Sequence, residues 1–268
     1  MDYALKPLAL VTGASSGIGY QLAIQFAQHG YDLLVVSGTN AIRDAAEDLR
    51  VFGTEVQAAQ IDLATLDGVD KLNAHIRASG RPLAVAAINA GVGVGGRFCD
   101  TDLKEELNLL NLNVIGTWHL AKHVTQYMIA SGEGGKILFT SSIASLMPGP
   151  YEAVYSASKA FVQSLAMSLH FELKDKGISV TAVLPGPTDT NFFRRAGMHD
   201  TKVGTGDKDD PAHVAATAFK ALMDGKHQVL VGGLATKLQG GLSAMLPDQM
   251  KAARHADMAE PGSGQKHH

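Results

Sequence analysis

The sequence predicts a doubly wound α/β fold, a parallel sheet of seven strands with helices on both faces. Three observations carry that expectation. Short, continuous apolar runs alternate with longer stretches that are apolar at helical spacing. Runs without polar alternation suit strands buried on both faces, as parallel strands are. The turn after the first run is rich in glycine, and several later runs end in polar residues or glycine. In a parallel sheet those ends share the carboxyl edge, where ligands bind.

The elements follow in order. Leu8-Ala9-Leu10-Val11 reads as the first strand, and Leu22, Ile24, Phe26 and Ala27 mark a helix that stops at Gly30. Strands are expected over 32–37 and 55–61, each followed by a helix, over 41–50 and 66–78. A fourth strand over 83–88 leads into a long helical stretch over about 102–130. The fifth strand, 136–140, precedes a helix that begins near Tyr155 and carries Phe161, Leu165, Leu169 and Leu173. A sixth strand spans 178–184. Asp210-Pro211 reads as an N-cap followed by proline at the first helical position, opening a helix to Met223, and a seventh strand covers 228–231. The architecture is Rossmann-like, with residues 1–258 as a single domain. The polar segment 191–210 is the natural candidate for a lid. Residues 259–268, low in apolar content, are expected to be disordered, and His267-His268 resembles a tag remnant.

Composition narrows the function classes. At 268 residues and 46% hydrophobic, the chain can bury a sizeable core. Its net charge of -3, with no basic block, argues against nucleic acid or an anionic membrane as partner. The single cysteine, Cys99, excludes an intramolecular disulfide and is compatible with a reducing compartment. The opening Met1-Asp2-Tyr3-Ala4 does not read as a signal peptide, so a cytoplasmic protein is expected. Cys99, His119, His123 and His170 show no metal-ligand spacing, and no metal is expected.

Two motifs suggest chemistry on their own. The turn Gly13-Ala14-Ser15-Ser16-Gly17-Ile18-Gly19 lies between a strand and a helix. Glycine lets the backbone approach a pyrophosphate closely, and the helix N-terminus offers unpaired N–H groups and partial positive charge. Tyr155 and Lys159 stand four apart, on one face of a helix. A nearby ammonium favours a phenolate, making the pair a plausible acid/base device. Asn113 interrupts Leu109, Leu110, Leu112, Val114 and Ile115 and needs partners if buried.

Taken in order, Thr12-Gly-x-x-x-Gly17-x-Gly19, Asn89-Ala90-Gly91, Asn113, Ser142, Tyr155-x-x-x-Lys159 and Pro185-Gly186 resemble the short-chain dehydrogenase/reductase family. The resemblance runs from about Leu8 to Gly233. It implies hydride transfer between NAD(P) and a hydrophobic secondary alcohol, ketone or aldehyde. Tyr155 would be the general acid/base, and Lys159 would lower its pKa and hold the nicotinamide ribose. Ser142 would hold the substrate oxygen, and Asn113 would position a water linking Lys159 to solvent. Gly13, Ser15, Ser16, Gly17, Ile18 and Gly19 would line the pyrophosphate and ribose. Asp62 and Leu63 would meet the adenine, Asn89, Ala90 and Gly91 the adenosine side, and Pro185, Gly186, Thr188 and Thr190 the carboxamide. By position, Ser142, Ile143, Met147, Tyr151, Phe192 and Phe193 would line the substrate pocket. Relatives suggest a homodimer or homotetramer.

The end of the second strand departs from the family. Ser37-Gly38-Thr39-Asn40 has neither the acidic residue usual with NAD nor the arginine usual with NADP. Without an acid to repel a 2′-phosphate, and with Ser37, Thr39 and Asn40 as donors and Arg43 near in sequence, NADP(H) is slightly favoured over NAD(H). The alternative to an enzyme is a catalytically silent dinucleotide-binding sensor or scaffold, which would have no need of Asn113, Ser142, Tyr155 and Lys159 together.

Overall fold

A computed structural model describes residues 5–233 and 246–264. Seven parallel strands form one sheet: β1 (Leu8–Thr12), β2 (Asp32–Ser37), β3 (Val56–Gln60), β4 (Leu83–Ile88), β5 (Gly135–Thr140), β6 (Ile178–Pro185) and β7 (Gln228–Val231). Their order is β3-β2-β1-β4-β5-β6-β7. The order reverses between β1 and β4, and the two halves are wound outward from that point. The central strands read apolar throughout because both faces are covered: β1 and β2 are buried along their whole length. Edge strand β3 buries only Val56 and Ala59. The expected strand over 55–61 is accordingly trimmed at both ends.

The helices divide into two layers. On one face, α1 (Gly17–Gln28), α2 (Ile42–Arg50) and α9 (Pro211–Met223) bury Leu22, Phe26, Leu49, Val214 and Leu222 against Ala9, Val11, Val35 and Val183. Phe26 meets Phe219 edge-on, with ring centroids 5.4 Å apart. On the other face, α3 (Leu66–Ala78), α5 (Thr117–Ser131) and α6 (Ala153–Glu172) pack Leu72, Ile76, Leu120, Val124, Val162 and Ala166 onto Leu10, Leu34, Ala86 and Phe139. No helix among the described residues is long and apolar enough to cross a membrane.

Three stretches differ from the sequence reading. The helix expected over 102–130 is interrupted: α4 (Leu103–Leu110) passes through a π-helical turn, Asn111–Gly116, before α5 begins. The wider turn buries Asn113 and sets Gly116 against the Leu63 carbonyl. A period of 3.6 cannot reveal one extra residue per turn. Within 191–210, read as irregular, lie two short helices, α7 (Phe192–Arg195) and α8 (Lys202–Thr205). Thr201 caps α8, its hydroxyl accepting from Gly204 N at 3.0 Å.

The tail expected to be disordered from Ala259 is held as far as Gly264. Helix α10 (Asp248–Ala259) ends on Ala259, which is buried. Beyond it, Gly262 N donates to Asp200 Oδ2, Gly264 N to the Asp200 carbonyl, and Ser263 Oγ accepts from Lys202 N. Backbone and side-chain hydrogen bonds anchor this stretch, which apolar content alone could not show. Residues 265–268, with His267-His268, lie outside the described residues.

The fit at Gly116 is exacting, because a Cβ there would collide with the Leu63 carbonyl. Gly116→Ala is therefore expected to destabilise the protein by about 1–3 kcal/mol, the usual cost of overpacking a rigid contact. Urea unfolding of both proteins measures it, and an unchanged midpoint would show that the π turn yields freely.

Candidate active site

The carboxyl ends of the strands open onto one cleft. Of the residues expected to bind or react, Gly13, Ser15, Ser16, Gly17, Ile18, Gly19, Ser37, Gly38, Thr39, Asp62, Leu63, Asn89, Ala90, Gly91, Ser142, Ile143, Met147, Tyr155, Lys159, Pro185, Gly186, Thr188, Thr190, Phe192 and Phe193 line it. Three do not. Asn40 sits on the exposed turn beyond β2. Asn113 lies behind the wall, 1% exposed. Tyr151 faces away, its hydroxyl donating to Glu260 Oε1 at 3.1 Å. Among described residues it is the one non-glycine with positive φ, 63°. Its ring packs against a small cluster that holds Phe193, Met198 and Ala259.

One end of the cleft is the glycine-rich turn. Gly13 and Gly17 adopt φ of 69° and 57°, a region open to glycine at little cost. A Cβ on Gly19 would strike the Gly13 carbonyl. Helices α3, α4, α8 and α9 are each capped by a side chain, whereas Ser16 at the start of α1 makes no such bond. A glycine cradle at an uncapped helix N-terminus fits a diphosphate. At the end of β2, Ser37 Oγ lies 2.9 Å from Ser15 Oγ and 3.3 Å from Thr39 Oγ1. The hydroxyls of this corner are thus already linked to one another.

The floor is a chain of hydrogen bonds across three strand ends. Thr12 Oγ1 accepts from Asn89 N and Ala90 N at 2.9 and 3.0 Å, and Asn89 Nδ2 donates to the Thr12 carbonyl at 3.0 Å. Asn89 Oδ1 accepts from Thr140 Oγ1 at 3.0 Å. The Thr140 carbonyl in turn accepts from Lys159 Nζ at 2.9 Å. Asn113 acts as a clamp: Oδ1 accepts from Val92 N at 3.0 Å, and Nδ2 donates to the Val92 carbonyl and to Ser158 Oγ at 2.9 and 3.1 Å. A Cβ on Gly91 would come within 3.2 Å of both Asn113 Oδ1 and Lys159 Nζ, so both stand behind this glycine.

Tyr155 is buried, its ring 5.2 Å from that of Phe192. Burial raises its pKa, the nearby Glu152 carboxylate raises it further, and the Ser142 hydroxyl opposes both by hydrogen bonding. The sequence reading expected Lys159 to lower it. The structure differs, because Lys159 is itself desolvated: its pKa falls from 10.5 to about 8. Its Nζ is tied to Thr140 and lies 5.8 Å from the centroid of the phenol ring. In the protein by itself, the phenol stays protonated.

Part of the wall comes from residues with no motif in the sequence. Glu152, three residues before Tyr155, pairs with His255 at 3.1 Å, with side-chain exposures of 8% and 7%. Glu152, His255, Met258 and Ala259 all line the cleft. The position of Glu152 beside Tyr155 was a usable signal, but nothing local ties it to a histidine on α10. Arg195, from α7, reaches across to Ser16 Oγ at 3.4 Å. One correction lies outside the cleft: His119 and His123, read as having no metal-ligand grouping, converge with Asp70.

The family model for short chain dehydrogenase matches residues 7–200. The uncharacterized oxidoreductase YmfI of Bacillus subtilis is 34% identical over 194 residues, 71% of this chain and 78% of that protein. A short-chain dehydrogenase from Sphingobium yanoikuyae, solved in complex with NADPH, matches with TM-score 0.78 and 30% identity over 89% of this chain and 94% of its own. A bulky-bulky ketone specific alcohol dehydrogenase from Comamonas testosteroni matches with TM-score 0.75 and 26% identity, covering 94% of this chain and 99% of its own.

The lowered pKa of Lys159 has a consequence for stability. The folded state holds this proton less tightly than the unfolded state, so its contribution is present above pH 10.5 and is lost as pH falls to about 8. In Lys159→Met that term vanishes. The stability of the variant relative to the parent should decline by on the order of 3 kcal/mol from pH 8 to 10.5. Denaturant melts across that range measure it, and a flat difference would mean that Lys159 is not desolvated.

Proposed function

The chain belongs to the short-chain dehydrogenase/reductase family, and we propose that it interconverts a hydrophobic secondary alcohol and its ketone, or an alcohol and an aldehyde, with NAD(P) as partner. The observation that carries this reading is the placing of Tyr155 and Ser142 side by side in one cleft with the glycine-rich cradle. The nicotinamide cofactor supplies or accepts the hydride. What remains for the protein is to hold the carbonyl oxygen, move one proton and keep water away.

Ser142 and Tyr155 hydroxyls direct hydrogen bonds at the substrate oxygen and stabilise charge as it develops there. In reduction, the Tyr155 phenol transfers its proton to that oxygen and becomes a phenolate; in oxidation, that phenolate takes the alcohol proton. The raised pKa keeps Tyr155 protonated at neutral pH, the form that reduction requires. Lys159, on the same helix face, is the nearest reserve of protons. Asn113 serves as a positioning residue, holding Val92 and standing beside Lys159 across Gly91. The glycines of the turn hold the diphosphate, Asp62 and Leu63 the adenine, and Pro185, Gly186, Thr188 and Thr190 the carboxamide. Ile143, Met147, Phe192, Phe193 and Met258 supply apolar wall for the substrate. Segment 191–210, latched to Ser16 through Arg195, serves as the lid.

At the ribose, Gly38 leaves room for either cofactor, and the absence of an acid there favours NADP(H) slightly. The sensor alternative has no use for a buried Tyr155–Ser142 pair. Exposed Leu107, Leu110, Ile115, Trp118 and Phe161 support a homodimer or homotetramer, since a large exposed apolar surface usually finds a partner.

Two experiments test the reading. Tyr155→Phe should lower carbonyl reduction by about 10²- to 10⁴-fold while NADPH binding, followed by its fluorescence, changes little; equal activity would end the assignment. Gly38→Arg should tighten NADPH relative to NADH by roughly tenfold or more, through a charge-assisted bond to the 2′-phosphate. A ratio that does not move would place the ribose elsewhere.

A further inference from the structure

We propose that Asp70, His119 and His123 form a binding site for a divalent transition-metal ion, on the outer surface between α3 and α5 and away from the cleft. His119 and His123 are four apart on α5, so their rings share one face. Asp70 comes from α3, packed alongside. His123 Nε2 lies 2.9 Å from His119 Nε2 and 3.0 Å from Asp70 Oδ1, and His119 Nε2 lies 3.3 Å from that same oxygen.

This triangle is hard to explain by hydrogen bonds. A neutral imidazole Nε2 is either a donor or an acceptor. If both rings donate to the ionised carboxylate, their N–H groups oppose each other at 2.9 Å. If one ring donates to the other, the acceptor turns a lone pair towards the carboxylate oxygen. With neutral rings, one of the three contacts is always repulsive. A cation above the triangle takes a lone pair from each of the three atoms and outweighs their mutual repulsion. The spacing also fits: ligands about 2.0–2.1 Å from a first-row metal stand about 2.9 Å apart at right angles and about 3.4 Å apart at tetrahedral angles.

Two imidazoles and one carboxylate, with solvent free to complete the shell, suit Zn²⁺, Ni²⁺, Co²⁺ or Cu²⁺ rather than Mg²⁺ or Ca²⁺. His119 Nδ1 is buried with no hydrogen-bond partner among the described residues. The ring thus lacks the outer support that strengthens metal-bound histidines, and micromolar affinity is expected. A metal here joins α3 to α5 only in the folded state and so raises the melting temperature. Neither ligand nor metal touches the proposed reaction, and the site stands or falls independently of it.

Trp118, the chain's single tryptophan, is the probe, its ring centroid 6.3 Å from that of His119. The full chain is titrated with Ni²⁺ while Trp118 emission is followed, then with Zn²⁺ as competitor. Saturable quenching at micromolar Ni²⁺, reversed by Zn²⁺, is expected, together with a rise in melting temperature on adding Zn²⁺. His123→Asn and Asp70→Asn should each shift the midpoint at least about tenfold while melting like the parent in EDTA. Quenching that is not saturable below millimolar Ni²⁺, or is the same in both variants, would overturn the site. Metal held by His267-His268 alone would give that second result.

Discussion

Thr140 is the junction on which the rest depends. Its hydroxyl donates to Asn89, which is tied to Thr12 at the head of the glycine-rich turn. Its carbonyl receives the ammonium of Lys159. One residue at the end of β5 therefore fixes the distance between the cradle and the helix that carries Tyr155. The connection is possible because all seven strands run parallel and finish on one edge. An antiparallel neighbour would have sent its end to the opposite side of the molecule.

Burial sets the chemistry of this edge and works against two charges at once. It lowers the proton affinity of Lys159 and raises that of Tyr155, because both charged forms are poorly solvated. Glu152 adds to the second effect and is itself paired with His255. Hydrogen bonding by Ser142 eases formation of the phenolate. The phenol is thereby held in its protonated form.

The far wall of the cleft comes from the end of the chain. Helix α10 brings His255, Met258 and Ala259 to the pocket, and the turns beyond it are held by Asp200 and Lys202 of the neighbouring segment. The lid candidate and the C-terminal stretch therefore brace one another.

Sequence alone determined the alternation of strands and helices, because a strand covered on both faces must be apolar throughout and a surface helix must repeat at 3.6. It also marked, by short spacing, residues that the fold brings to one cleft: glycines between Gly13 and Gly19, and Tyr155 with Lys159 four residues on. It could not show the π turn at Asn113, since one residue more per turn leaves no trace in an apolar period. Nor could it show the direction of the pKa shift on Tyr155, which burial decides and a helical wheel does not contain. The pairing of Glu152 with His255, and of Asp70 with two histidines on another helix, joins residues distant along the chain. Such contacts exist only after the helices have packed, and the tertiary structure alone decided them.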